Sequence, residues 1–189
     1  MSNIRAFIAL NPPYQTKNFI TVQLFNLKPN FNFSDIKWTE TENYHLTFLF
    51  FKSIDQAQIL SYFEKLQEYL KDLESQNLSI CSTLGFFKNK DAIKVIYLKV
   101  EPEEFVQEIY QRIKKVFSFH KFEEKFVPHI TIGRVKRNLS LDKVQILENY
   151  RIEPVIFKAQ EISLFKSTLT PLGPIYDIIK TITLKNSTK

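Results

Sequence analysis

Several residues on which common functional sites depend are scarce in this sequence of 189 residues. Three glycines are too few to build the glycine-rich loops that cradle phosphates in nucleotide-binding folds. The single cysteine, Cys81, cannot form an internal disulfide, which favours a reducing compartment. No apolar run approaches the roughly 18 residues that indicate a membrane-spanning helix, and residues 1–5 do not resemble the start of a secretion signal. We therefore expect a cytoplasmic protein that has no membrane partner.

The chain carries a moderate excess of positive charge. Lysine and arginine total 26 against 20 acidic residues, which gives a net charge of +6 and a pI near 9.2. Such an excess suits a polyanionic partner such as RNA, although a lysine-rich soluble protein has the same balance. Hydrophobic residues make up 44% of the chain and charged residues 24%, which is typical of a globular domain.

Strand patterns alternate with helix patterns along the whole chain. The predicted strands cover about Ile4–Leu10, Ile36–Trp38, Tyr44–Phe51, Leu78–Phe87, Lys94–Val100, His129–Val135, Phe157–Ser167 and Ile175–Leu184, the last two joined by a turn at Leu172-Gly173-Pro174. The predicted helices cover about Tyr14–Asn26, Asp55–Leu73, Glu103–Val116 and Ser140–Asn149. This order favours an α+β fold with hairpin-joined strands, and no linker divides the chain.

Two of the strand patterns carry the same short motif, a histidine followed two residues later by a threonine. The first is His45-Leu46-Thr47 and the second is His129-Ile130-Thr131. Successive side chains point to opposite faces of a strand, so each histidine shares a face with its threonine while Leu46 and Ile130 face a core. The repeat favours a duplicated half-unit, and we expect two lobes related by an approximate two-fold axis.

Two facing histidines suit the hydrolysis of a cyclic phosphodiester. One neutral imidazole would take a proton from the attacking water, and the other would donate a proton to the departing ribose oxygen. An ordinary pKa near 6.5 makes both protonation states accessible near neutrality. Thr47 and Thr131 would donate hydrogen bonds to the non-bridging oxygens. We expect neither a metal nor a cofactor, because the histidines handle the protons and the strain of the ring assists.

Other catalytic motifs are absent from the sequence. There is no Gly-x-Ser-x-Gly elbow, no Walker loop and no Cys/His spacing suited to zinc. The second motif lacks the further histidines of the histidine-triad hydrolases. The third histidine, His120, lies beside a charged loop at residues 121–126 and is interpreted as a surface residue.

Together with their flanks, the two motifs resemble the 2H phosphoesterase superfamily, and most closely its RNA 2′,3′-cyclic phosphodiesterases, also called 2′-5′ RNA ligases (LigT-like proteins). The strand at residues 5–10 is similar to the opening strand of the family, and Trp38 has the expected spacing before His45. Residues 128–134 are similar to the second motif of the family, and residues 164–176 to its closing hairpin. The sequence departs from the family at residues 48–52, which lack a glycine that often follows the first motif.

The resemblance implies an α+β, bilobal LigT-like fold, with two mainly antiparallel sheets and flanking helices around a central cleft. Residues 1–189 would then form a single 2H phosphoesterase domain of two pseudo-symmetric lobes. The implied reaction is hydrolysis of an RNA-terminal 2′,3′-cyclic phosphate to a 2′-phosphate, together with reversible joining of RNA ends by a 2′-5′ linkage.

The resemblance also implies roles for individual residues. His45 would be the acid and His129 the base, although the residues themselves leave these two roles interchangeable. Arg134 matches an arginine that approaches the phosphate, which requires a twist or bulge because strict alternation points it away from His129. Phe7 matches an aromatic residue that lines the base or ribose pocket, or else it is a core phenylalanine.

Three hypotheses for the function and its substrate remain open. RNA with a 2′,3′-cyclic phosphate end, tRNA fragments included, is the leading one. Small cyclic phosphates, such as cyclic nucleotides or an ADP-ribose cyclic phosphate, are the second, and a non-catalytic RNA-binding module is the third. The two intact motifs favour an enzyme, because a binding module would be free to lose either histidine. We expect the protein to be a monomer.

Overall fold

The protein is described by a computed structural model that covers residues 2–122, 125–171 and 173–186. These residues form strands and helices in the order β1 (Asn3–Leu10), α1 (Tyr14–Gln23), β2 (Ile36–Trp38), β3 (Leu46–Asp55), α2 (Gln56–Leu70), β4 (Gln76–Asn89), β5 (Ala92–Glu101), α3 (Glu103–Val116), β6 (His129–Val135), α4 (Leu141–Asn149), β7 (Val155–Ala159), β8 (Glu161–Thr170) and β9 (Gly173–Thr183). Short 3₁₀ turns lie at Lys28–Asn30 and Thr41–Asn43. Among these residues, no helix has the length and apolar character needed to cross a bilayer.

The strands form two antiparallel sheets, which confirms the predicted fold class. The first sheet has the strand order β3-β1-β8-β9, and the second has the order β2-β6-β5-β4-β7. Strands β3 and β6, which carry the two motifs, approach one another although they belong to different sheets. Apolar side chains from both sheets and from the helices join in one core cluster. The two His-x-Thr motifs therefore meet where the sheets adjoin.

Each of the two motif strands has a shift in its pairing register next to the motif. On β3, Thr47 pairs with Ala9 and Leu49 with Ile8, so Phe48 has no partner on β1. On β6, Thr131 pairs with Tyr97 and Gly133 with Ile96, so Ile132 likewise has no partner on β5. Each unpaired residue lies three positions after a motif histidine, and such an extra residue is a β-bulge. The shared bulge supports a duplicated half-unit, and the division of residues 1–189 into two pseudo-symmetric lobes stays a prediction.

Helices α2 and α3 follow from strong amphipathic patterns. Helix α2 begins after Asp55, whose carboxylate accepts a hydrogen bond from the backbone N–H of Gln58, as an N-cap residue does. The apolar residues that recur at spacings of three and four on both helices are buried, namely Ile59, Phe63, Leu66 and Leu70 on α2 and Phe105, Ile109, Ile113 and Val116 on α3. The bounds of α3 agree with the prediction. Helix α2 ends at Leu70 rather than Leu73, since the chain turns there to begin β4.

One predicted strand is two strands in different sheets. The apolar run at residues 157–167 was expected to be continuous, but β7 pairs with β4 in the second sheet and β8 pairs with β1 in the first. The break is at Gln160, whose carbonyl accepts a hydrogen bond from the backbone N–H of Leu184. The sequence pattern does not reveal this break, because Ala159 and Ile162 on either side of it are both buried.

Three further expectations differ in detail. Helix α1 ends at Gln23 rather than Asn26, because the chain continues into turns that lead to Lys28. In the predicted turn at 172–174, Leu172 lies outside the described residues, while Gly173 has a φ of 143°, a conformation that favours glycine. His120 is half-buried against Phe51 rather than exposed at the surface, with ring centroids 4.9 Å apart. Glu123 and Glu124 of the predicted loop also lie outside the described residues.

A buried carboxylate ties three segments of the chain together. Asp35, whose side chain is 2% exposed, accepts hydrogen bonds from Arg137 Nε at 2.8 Å and from the side chain of Lys143. It also accepts one from the backbone N–H of Asn32 at 2.9 Å. These bonds, led by that of Lys143, hold the pKa of Asp35 well below its usual range. A buried carboxylate that loses its charge, or its partners, weakens the fold.

We expect Asp35→Asn to lower the melting temperature by about 5–10 °C at pH 7, because it leaves two cations without their shared partner. The depressed pKa means that this stabilisation is complete above the unfolded-state pKa of about 3.9 and is lost as the pH falls below it. The difference from the wild type should therefore shrink below about pH 4 in thermal unfolding followed by circular dichroism. Asp177→Asn, an exposed position on β9, is the control. A difference that stays constant down to pH 2 would contradict this account.

Candidate active site

The two motif histidines are anchored to the backbone in the same way. Nδ1 of His45 lies 2.7 Å from the carbonyl oxygen of Asn43, and Nδ1 of His129 lies 2.7 Å from that of Val127. A carbonyl oxygen only accepts hydrogen bonds, so Nδ1 is the protonated nitrogen in both rings. Nε2 is then the nitrogen that exchanges a proton with another group. His45 lies just before β3 rather than inside it, and this position brings its ring to the carbonyl of Asn43.

The ring of His45 lies among aromatic side chains. Its centroid is 4.7 Å from that of Phe7 and 5.4 Å from that of Tyr176, whose ring meets it edge-on. Burial lowers the pKa of His45 to about 4, against the raising effect of the bond to Asn43, and the charges of Lys17, His129 and Arg134 lower it further. The neutral form of His45 therefore dominates at neutral pH.

His129 has a similar aromatic surrounding on the second sheet. Its ring is 4.9 Å from Phe87 and 5.2 Å from Tyr97, with both contacts close to edge-on. The rings of Phe87 and Tyr97 stack on each other at 4.4 Å. Tyr97 lies across Gly85, where an added Cβ would come within 2.3 Å of the tyrosine ring. Because Gly85 has no side chain, the ring of Tyr97 can lie over it and pack against the ring of His129.

The predicted strand parity of the motifs is confirmed. Leu46 and Ile130 are fully buried, while Thr47 and Thr131 are half-buried on the opposite face. Neither threonine hydroxyl makes a hydrogen bond within the described parts of the chain. A hydroxyl held on a strand and left without a protein partner is available to a ligand.

The bulge in β6 brings Arg134 to the face that carries His129 and Thr131. Ile132 and Gly133 are both buried, so the side chain that follows them returns to the motif face. The charge of Arg134 accordingly lowers the pKa of both His45 and Tyr176. The guanidinium is exposed and forms no ion pair with any described residue. The predicted twist or bulge is therefore present, and Arg134 is available to an anion.

Phe7 is buried beside the first motif and does not present a free surface. It is 2% exposed, and its ring is stacked on Phe165 at 4.7 Å with an interplanar angle of 5°. Because Phe165 and His45 cover it, Phe7 cannot stack on a base or ribose, and the alternative of a core phenylalanine holds. Its ring packs against that of His45, with centroids 4.7 Å apart. Tyr176, which is half-buried, contacts both Phe7 and His45.

Among the described residues, no group of three or more histidine, cysteine, aspartate or glutamate side chains is arranged to hold a metal ion.

Comparison with known proteins identifies the family of this chain. The model of the 2′-5′ RNA ligase superfamily matches residues 37–170, which include both histidine motifs. The chain belongs to this superfamily. It is 36% identical over 183 residues to an RNA 2′,3′-cyclic phosphodiesterase of Methanocaldococcus jannaschii, covering 94% of this chain and 99% of that protein. It is 35% identical over 145 residues to one from Thermotoga maritima, covering 75% and 76%.

Solved structures share the fold of nearly the whole chain. A crystal structure of a Thermus thermophilus protein matches with a TM-score of 0.76 at 20% identity, covering 98% of this chain and all of that one. E. coli LigT complexed with 3′-AMP matches with a TM-score of 0.74 at 16% identity, covering 97% and 99%. The implied LigT-like fold is therefore confirmed.

Sequence reasoning missed one buried residue beside the superfamily motifs. Lys17 on α1 is 7% exposed, and its ammonium donates to the carbonyl of Glu42 at 2.8 Å. That carbonyl belongs to the turn whose next residue, Asn43, anchors His45. Burial lowers the pKa of Lys17, while Glu42 raises it. A lysine in a weakly amphipathic helix pattern is ordinarily solvated, so only the packing of α1 on this turn reveals it.

We expect the pKa of His45 in the free protein to be near 4 and to rise in Lys17→Met, because removal of a nearby positive charge favours the imidazolium. Titration of the ring protons by NMR measures both values. Lys17→Arg retains the charge and should leave the pKa close to that of the wild type. Lys28→Met removes another half-buried lysine and serves as the control. An unchanged pKa in Lys17→Met would contradict the electrostatic role of Lys17.

Proposed function

We propose that this protein is an RNA 2′,3′-cyclic phosphodiesterase, which hydrolyses a terminal cyclic phosphate to a 2′-phosphomonoester. The observation that carries the proposal is the paired anchoring of His45 and His129, each with Nδ1 bound to the carbonyl two residues before it. Relatives that bear this enzyme name support it, at 36% and 35% identity over most of the chain. Both histidines direct Nε2 to their chemistry, so the neutral ring would accept a proton and the other ring, as the imidazolium, would donate one.

In the proposed mechanism, water attacks phosphorus while Nε2 of one histidine removes a proton from that water. The bond from phosphorus to the ribose 3′ oxygen breaks, and Nε2 of the other histidine protonates that oxygen. The products are a 2′-phosphate and a free 3′ hydroxyl. Each proton transfer contributes about 10²–10⁴-fold in rate. The protons are balanced by the two histidines, so no step of this scheme is assigned to a metal.

Thr47, Thr131 and Arg134 would stabilise the charge that develops on the non-bridging oxygens. The two hydroxyls lie on the motif face, and none of the three side chains has a polar partner within the described residues. Donors that are already in place cost little reorganisation when charge develops. Because the arginine also carries a full positive charge, it would hold the phosphate before the reaction begins.

The assignment of His45 as the acid and His129 as the base is carried forward as part of the proposal. The lowered pKa of His45 opposes it, since a neutral imidazole suits a base better than an acid. A bound phosphate monoanion acts in the other direction, because a nearby negative charge raises the pKa of an imidazole. Binding of the substrate phosphate would therefore favour the protonated form of His45 that an acid requires.

The substrate we favour is RNA, including tRNA fragments, acted on by a cytoplasmic monomer that also joins RNA ends by 2′-5′ linkage in the reverse direction. The net charge of +6 and the cationic groups beside the histidines suit a polyanion better than a neutral ligand. Small cyclic phosphates share the reacting group, and they are the second candidate because the cleft face offers the same donors to them.

We expect His45→Ala and His129→Ala each to lower kcat on a nucleoside 2′,3′-cyclic phosphate by about 10²–10⁴-fold, because each removes one proton transfer. Thr47→Val and Thr131→Val should each cost about 10²-fold, since each removes one donor to the developing charge. Rates are measured by separating the cyclic and ring-opened nucleotides, with EDTA present. Retained turnover in either histidine variant would exclude the two-histidine mechanism, and loss of wild-type turnover in EDTA would exclude independence from metal.

The two roles are separable with a phosphodiester whose leaving group needs no proton, such as bis(p-nitrophenyl) phosphate. The variant that lacks the acid should recover most of its rate on this substrate, whereas the variant that lacks the base should not. We expect the recovery in His45→Ala. Recovery in His129→Ala instead would reverse the assignment. The acidic limb of kcat/KM should lie near pH 4 in the wild type, since it reports the lower pKa of the free enzyme.

A further inference from the structure

Arg5 is a cation whose hydrogen-bond donors the described protein does not use. Its guanidinium lies over the ring of Phe50, 4.3 Å from the ring centroid. Its Nε is buried without a hydrogen-bond partner, and Arg5 forms no ion pair with any described residue. An arginine stacked on an aromatic face keeps the in-plane N–H groups of its fork available to a planar or tetrahedral anion.

Arg5 lies on the same face of the first sheet as the groups beside His45. Residues 5, 7 and 9 lie on one face of β1, and Phe7 and Ala9 belong to a small buried cluster with Phe165, against which Phe50 and Tyr176 pack. Tyr176 contacts His45, with ring centroids 5.4 Å apart, and Phe50 of the same cluster is the ring over which Arg5 lies. Arg5 therefore shares a face of the first sheet with the aromatic residues that contact His45.

Arg134 and Arg5 lie on different strands beside the two histidines. Arg134 follows His129 by five residues on β6. On β1, Leu10 pairs with Leu46, which follows His45, and the ring of Phe7 is 4.7 Å from that of His45. Arg5 is two residues before Phe7, so it lies further from His45 along the same strand, by about 7 Å. Arg134 is thus close to one histidine in sequence, and Arg5 lies one side-chain position beyond Phe7.

We propose that Arg5 binds the phosphate on the 5′ side of the terminal nucleotide and thereby favours RNA ends over nucleosides that carry only the cyclic phosphate. The inference rests on the proposed function. A guanidinium fork binds phosphate oxygens in pairs, which fits a backbone phosphodiester. The terminal ribose separates the two phosphates, as Phe7 separates Arg5 from the end of β1 that lies beside His45.

Three substrates test this assignment. They are adenosine 2′,3′-cyclic phosphate, its 5′-phosphorylated form, and the dinucleotide that ends in the same cyclic group. Arg5→Gln removes the charge and the fork, and Arg5→Lys keeps the charge but loses the fork. Lys115→Gln, an exposed position on α3, is the control with the same change in net charge. Circular dichroism and melting temperature establish that each variant is folded.

We expect Arg5→Gln to lower kcat/KM for the two substrates with the extra phosphate by about 10-fold more than for adenosine 2′,3′-cyclic phosphate. Arg5→Lys should show an intermediate selective loss, and Lys115→Gln none. For the 5′-phosphorylated substrate, kcat/KM should also fall less steeply with rising salt in Arg5→Gln, because one screened charge–charge contact is lost.

Equal losses on all three substrates would overturn the proposal, because Arg5 would then serve the reacting phosphate or the fold. A loss confined to the dinucleotide would also overturn it, since the upstream nucleoside and not the phosphate would be recognised. Wild-type protein that turns over none of the three would overturn the proposed function, and this inference with it. Turnover of adenosine 2′,3′-cyclic phosphate without any selective loss would leave the proposed function intact and reject Arg5 alone.

Discussion

The candidate site depends on the hydrogen bond from each histidine Nδ1 to the carbonyl two residues before it. This bond sets the tautomer, orients the ring and directs its chemistry to Nε2. It requires that the segments before β3 and β6 be held in place. Before β3, Lys17 binds the carbonyl of Glu42, and before β6, the carbonyl of Pro128 accepts a hydrogen bond from the backbone N–H of Val100 at 3.1 Å.

The second structural requirement is the bulge three residues after each histidine. It turns two consecutive residues toward the core, and the next side chain then faces the cleft. On β6 that side chain is Arg134, while on β3 it is Phe50, which carries the guanidinium of Arg5. Two half-sites with the same backbone thus present different chemistry. Strand β6 supplies the cation of Arg134 directly. Strand β3 supplies the ring of Phe50, over which the guanidinium of Arg5 on β1 lies.

Aromatic burial and positive charge act together on this cleft. The rings around His45 exclude water, which disfavours the imidazolium, and the neighbouring cations add to that effect. Arg5 and Arg134 have no anionic partner among the described residues, so under the proposed function a bound phosphate would meet charges that the protein has not neutralised. The same phosphate would raise the pKa of His45. Substrate binding would then be coupled to the protonation state of the site.

The sequence by itself determined the α+β class, the strands that carry the two motifs and the inward faces of α2 and α3, because these follow from local periodicity. Strand parity was enough to separate Thr47 and Thr131 from Leu46 and Ile130. Tertiary structure alone decided the sheet change at Gln160, the burial of Phe7 and Lys17, and the stacking of Arg5 on Phe50. Each of these depends on which strand or helix lies alongside, and pairing between distant segments leaves no periodic signal in the chain. The direction of the Arg134 side chain depended on both. Strand parity in the sequence predicted that a bulge was needed, and only the register of β6 with β5 showed that the bulge is present.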